Sequence, residues 1–130
     1  MKSKALKNLE SAQILINNKQ FTSSVHCSYY AVFQYMKYML AHSDQNPISF
    51  ETQNPSDGKS SHEFIIEEIK SRLNTSSRNI RSFTEGVRLL KKDRVEADYA
   101  IRVFTDIESL SCIERANGLI TNLKTYFGNI

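Results

Sequence analysis

The sequence predicts an all-α fold, an antiparallel up-and-down bundle of about five helices. Three observations point there. The chain holds 4 Gly and 2 Pro in 130 residues, against an average of roughly 12% for the pair, and an all-β sandwich or barrel needs a turn about every 8 to 12 residues. Apolar residues recur at steps of three and four through most of the chain. Two helix-start signals, each a Ser or Thr followed three residues later by Glu, stand between the periodic runs. Hydrophobic residues at 40% and charged residues at 24% exclude disordered and fibrous classes. A length of 130 residues suits one domain spanning 1–130.

The first helix, about Lys2 to Asn17, carries Leu6, Leu9, Ala12, Gln13 and Ile16 on one face, and Asn17 to Gln20 break it. The second runs from Phe21 to about His42, with Phe21, Val25, Ser28, Tyr29, Val32, Met36, Met39 and Leu40 on one stripe. Its other side is not polar: His26, Tyr30, Phe33 and Lys37 form a second stripe, with Tyr38 near it. A helix apolar on two faces must be covered twice. It is therefore predicted to be central, packed on its own bundle on one side and on a partner subunit or substrate on the other. Tyr30, Phe33 and Tyr38 become the expected homodimer interface.

Ser43 to Lys59 holds both prolines and reads as a flexible loop, 43–59. Ser60 and Glu63 then form a capping box that opens a helix burying Ile65, Ile66, Ile69 and Leu73. The fourth helix, about Arg78 to Tyr99, has Ile80, Phe83, Val87 and Leu90 as its seam. Gly86 weakens it by ~1 kcal/mol relative to Ala, and Ser82 with Glu85 offers a restart. Thr105 and Glu108 cap a fifth helix with the stripe Ile107, Leu110, Ile113, Ala116, Leu119 or Ile120, Leu123 and Phe127, and Gly128 suits its end.

The charged start MKSKALKNLE has no apolar signal region, and no apolar run approaches the ~20 residues of a membrane span. A cytoplasmic protein with no membrane partner is expected. Cys27 and Cys112 lie too far apart for a CxxC site and read as reduced thiols. With no E-x-x-H, no H-x-x-x-H and no clustered Cys and His, no metal site and no cofactor is expected.

The net charge of +3 is unevenly placed. Between Arg72 and Arg102 stand eight Lys/Arg and four Asp/Glu, leaving +4 there and −1 elsewhere. Such a cluster is what a phosphate-binding surface needs, and also what a solvated helix face carries. Within it, Arg94 is the most informative residue. At about 100° per residue it falls in the arc of Ile80, Phe83, Val87 and Leu90, on the core seam. Asp98, one turn on, is its natural partner. Two readings fit: a pair that staples a helix end or subunit interface, and an arginine held in a cleft to bind phosphate bidentately. Tyr99 shares another face with Arg81, Arg88 and Lys92, where a ring amid cations can stack a base while the cations hold phosphates.

Three stretches, FTSSVHCSYYAVFQYMKYML (Phe21 to Leu40), SHEFI (Ser61 to Ile65) and LLKKDRVEADYA (Leu89 to Ala100), resemble the HEPN domains (higher eukaryotes and prokaryotes nucleotide binding). The likeness is to the small stand-alone prokaryotic type and spans about residues 5 to 127. It implies an up-and-down helical bundle, usually a homodimer. Ribonuclease members of that family carry an arginine, four to six intervening residues and a histidine. Arg94 matches the arginine, Tyr99 stands where the histidine would be, and no histidine follows His62. Histidine titrates near 6.5 and tyrosine near 10, so Tyr99 cannot exchange a proton at neutral pH as that histidine does.

Three functions follow as expectations. The first is a dimer that binds RNA or a nucleotide through Arg94, Asp98, Tyr99, Arg81, Arg88 and Lys92 without robust ribonuclease activity. The second is the partner of a small nucleotidyltransferase in a toxin-antitoxin-like pair, with Tyr99 as modification site. The third is a ribonuclease with an altered site, in which His62 stands near Arg94 and takes the missing role.

Overall fold

The structure, a computed structural model, describes residues 1–53 and 60–127. Five α-helices account for most of them: α1 (Lys2–Asn17), α2 (Phe21–Ala41), α3 (Ser61–Arg72), α4 (Ser77–Tyr99) and α5 (Asp106–Tyr126). Cross-helix contacts fix their directions. Ser24 Oγ donates to the Ala12 carbonyl and Asn8 Nδ2 to Gln34 Oε1, so α1 and α2 are antiparallel. His26 meets Asp98 while Tyr29 and Tyr30 meet Arg94, so α4 is antiparallel to α2. Asp93 meets Cys112, and the Asn74 N–H donates to the Tyr126 carbonyl, so α5 runs back along α4. Four long helices thus alternate in direction, and the shorter α3 lies against α2 and α4.

As its two apolar stripes predict, α2 is central and touches each of the other helices. Val25, Tyr29, Val32, Met36 and Leu40 are fully enclosed. Each aliphatic side chain so buried stabilises the fold by about 1.5 to 3 kcal/mol. On its second stripe, Phe33 is buried, because the His62 ring of α3 stacks on it at 4.2 Å. The expectation of an exposed outer stripe of Tyr30, Phe33 and Tyr38 is corrected accordingly: α3 of the same chain covers Phe33, while Tyr30 and Tyr38 pack half-buried on the core.

The face of α1 also differs from the periodicity. Ala12 is buried and Leu9 packs on the core, as the periodicity places them, but Leu6 is exposed and Ala5 is buried. Ile107 and Leu110, read as part of the α5 stripe, are 75% and 40% exposed, while Ser109 and Cys112 are the buried residues of that stretch.

Both cap signals operate. Ser60 Oγ accepts the Glu63 N–H, and Thr105 with Glu108 forms the full capping box. α4 starts one residue early on the Ser76 cap and continues without a restart through Gly86. Gly86 has a packing reason: a Cβ there would stand 3.0 Å from Leu119 Cδ2, so its absence lets α4 and α5 approach closely. In the expected loop, Phe50–Gln53 forms a 3₁₀ turn, and the buried Gln53 amide donates to the carbonyls of Lys37 and Ile48. The remaining loop residues, 54–59, and the Gly128 helix stop lie outside the described residues.

Candidate functional site

The site forms where α2, α3 and α4 meet. Because α2 and α4 are antiparallel, contact between Tyr30 and Arg94 places His26, one turn earlier on α2, opposite Asp98, one turn later on α4. His26 Nδ1 lies 2.9 Å from both oxygens of the Asp98 carboxylate. An ionised carboxylate only accepts, so Nδ1 carries the proton, and in the neutral ring Nε2 keeps its lone pair. The His26 side chain is 46% exposed.

Arg94 is buried, as its place on the seam predicts, with 9% of its side chain exposed. Its guanidinium carbon sits 5.2 Å from the Tyr29 ring centroid and 5.4 Å from that of Tyr30. Cation–π attraction of this kind is worth ~2 kcal/mol or more when desolvated. The expected pair with Asp98 is present at 3.5 Å, from Nη1 to Oδ2. That is charge pairing without a short hydrogen bond. Nε is enclosed and has no partner among the described residues. At least the Nε donor of this buried guanidinium is therefore unmatched among the described residues, and an unmade bond to such a group costs about 1 to 3 kcal/mol or more.

His62, considered as a substitute for the missing histidine, is one ring away from Arg94 and is committed elsewhere. Its Nδ1 lies 2.6 Å from the Tyr29 hydroxyl, the one hydrogen bond either group makes among the described residues. Either atom can donate, according to the His62 tautomer, and burial raises the Tyr29 pKa. His62 Nδ1 is thereby engaged with Tyr29 and not with Arg94. Burial first, then the charges of Lys91, Arg94 and Lys37, lowers the His62 pKa to about 4. Those same three cations mark the local field as positive.

The basic face is only partly available. Arg88 Nη2 donates to Glu63 Oε1 at 2.8 Å, tying α4 to α3, whereas Arg81 and Lys92 are exposed. Tyr99, the last residue of α4, is 79% exposed, and Ile101, Val103 and Ile107 that follow it in the chain are exposed as well. Arg102 bridges Glu96 and Glu108 across this corner. Cys27 and Cys112 are free thiols. Among the described residues no three His, Cys, Asp or Glu side chains group as metal ligands, and no helix is long and apolar enough to cross a membrane.

A family model, the HEPN domain, matches residues 1–126. The chain belongs to the HEPN domain family. It is thus an all-α member of a family of nucleotide-binding and RNase-like domains. No curated protein and no solved structure matches it. In this HEPN chain, Arg94 occupies the seam with Asp98 and the two tyrosine faces, and Tyr99 points away from them at the exposed helix end. The participant missed by reading the sequence is His26, which has no local motif. The signal available was its place one turn before Tyr30, given the antiparallel pairing of α2 with α4.

Proposed function

We propose that this HEPN protein binds RNA or a nucleotide, with Arg94 as the phosphate anchor. The observation that carries this reading is the Arg94 guanidinium, fixed over two aromatic faces with its Nε donor unpartnered among the described residues. Guanidinium donors match phosphate oxygens bidentately, and Lys37 and Lys91 add to the attraction. Exposed Lys92, Arg81 and Tyr99 extend the surface along α4 for backbone and base. The expected homodimer belongs to the same reading: the exposed apolar residues Ile101, Val103 and Ile107 between α4 and α5 are surface that a second copy could cover.

The test is titration of fluorescent single-stranded RNA against wild type and Arg94→Ala at several salt concentrations. Binding that Arg94→Ala abolishes supports the reading, and equal binding by both sinks it. A second reading is favoured by the exposure of Tyr99, 79%, which leaves its hydroxyl open to a nucleotidyltransferase. Mass spectrometry of the protein from its native host, compared with Tyr99→Phe, tests for such a modification.

A further inference from the structure

We propose that the phosphodiester anion taken up by Arg94 lies beside the ring stack of Phe33, His62 and Tyr29, and that its binding draws one proton onto His62, so that affinity rises as the solution becomes more acidic. The inference rests on the phosphate-anchor reading above and adds a regulation to it. No reaction is involved: the proton comes from solvent and returns there when the anion leaves.

The geometry sets this ring between cations. His62 of α3 stacks on Phe33 at 4.2 Å and on Tyr29 at 5.6 Å. Lys37 Nζ stands 5.5 Å from the Phe33 centroid, and the Arg94 guanidinium carbon 5.2 Å from that of Tyr29, so each end of the stack carries a positive charge. Lys91, one turn before Arg94, shares that face of α4 and adds a third. The acidic groups of the same elements are turned to other partners: Glu63, next to His62, pairs with Arg88, and Asp98 lies against His26 and Arg94. Tyr30 meets the His62 ring edge-on from α2, and the 3₁₀ turn beside α3 carries only the exposed Glu51. Arg94 Nε is enclosed without a partner among the described residues, which marks the place where an anion is accepted.

An anion held there offsets the charges that oppose a proton on His62. In the free protein, burial and the three cations keep the His62 pKa at about 4. A negative charge on the order of 6 Å away, at an effective dielectric of about 20, cancels much of the cations' effect, so the bound protein takes up its proton at a higher pH. The imidazolium keeps its contact with Tyr29, Nδ1–H donating to the phenol oxygen, and its Nε2–H is one more donor. The sign follows by linkage. Well above the bound-state pKa the ring is neutral with and without anion, and affinity does not depend on it. Affinity rises as pH falls through that value and levels off below about 4, where the free protein is protonated as well.

The experiment follows the imidazole NMR signals of the full-length protein through a pH titration, free and saturated with 2′-O-methylated oligouridylate, whose charge stays fixed over this range and which cannot be cleaved. His62→Gln, which retains a hydrogen-bonding partner for Tyr29, assigns the signal and separates it from those of His26 and His42. The His62 pKa is expected to be higher in the complex by about one pH unit or more. Lys91→Ala should raise it in the free protein and shrink the further rise on binding. In parallel, between about pH 8 and about pH 5, wild type should gain about threefold more affinity for the oligouridylate than His62→Gln gains. The two should bind within about twofold of each other at the alkaline end. Binding that leaves the His62 pKa where it was, or an equal gain in affinity by wild type and His62→Gln, overturns this proposal alone. Absence of binding by wild type overturns the phosphate-anchor reading as well.

Discussion

The Tyr29 hydroxyl and His62 Nδ1 lie 2.6 Å apart, joining α2 to α3 through a single hydrogen bond inside a stack of rings. Burial and the neighbouring charges of Lys91, Arg94 and Lys37 favour the neutral imidazole there. Folding holds the His62 pKa at about 4, below the ordinary 6.5, so the unfolded chain takes up this proton first as pH falls. Stability is therefore expected to be full above about 6.5, to decline as pH drops towards about 4, and to lose nothing further from this group below that. Thermal midpoints measured across that window should flatten in His62→Phe relative to wild type. Parallel pH curves for the two proteins would show that another group sets the dependence.

Arg94 and Lys92 are expected to differ from Arg88 in RNA binding. Each cation that contacts a phosphate contributes to the salt slope, and Lys92→Ala should lower that slope by roughly one. Arg88 is already matched by Glu63, so Arg88→Ala should leave the slope nearly unchanged and cost the fold only about 0.2 to 1 kcal/mol. A lower slope in Arg88→Ala would mean that the ion pair opens when RNA binds.

Tyr99→Ala should weaken RNA binding by about 1 to 3 kcal/mol through loss of stacking, with the salt slope unaltered. Tyr99→Phe should bind as wild type, since the ring and not the hydroxyl is used. Affinities for a common oligonucleotide at three salt concentrations separate these outcomes.

In sedimentation at tens of micromolar, on the order of ordinary assay concentrations, the protein is expected to be a homodimer. Ile107, 75% exposed like Ile101 and Val103 before it in the chain, is the position at which a charge should dissociate it. Ile107→Asp should sediment as a monomer with an unchanged helical spectrum. A wild-type monomer would refute the pairing.

Much of the fold was legible in the sequence because helices are local. The steps of Ile80, Phe83, Val87 and Leu90 and the caps at Ser60 and Thr105 depend on residues three or four apart. Arg94 was legible for the same reason, as a charge in an apolar arc. What escaped depends on neighbours far along the chain. His26 and Asp98 are separated by 72 positions and Tyr29 and His62 by 33, so no spacing rule relates them. The buried face of α1 was legible at Leu9 and Ala12 but not at Ala5, which is buried while Leu6 is exposed, because hydrophobicity alone undervalues an alanine at a helix contact. Phe33 was read as exposed because α3, which covers it, enters from beyond a long connection.

The contact between Gly86 and Leu119 makes two positions on different helices share one volume. A methyl added at 86 would lie 3.0 Å from Leu119 Cδ2, so the ~1 kcal/mol that Ala offers a helix interior is opposed by the leucine it meets. The two sites should be non-additive: Gly86→Ala alone gains little or loses, Leu119→Ala alone leaves a cavity, and the pair together recovers part of both losses. Chemical denaturation of the two single variants and the double variant measures that coupling. In a library of variants, the residues tolerated at 86 and 119 should therefore covary in size, so that bulk moves from one helix to the other while the spacing of α4 and α5 is kept.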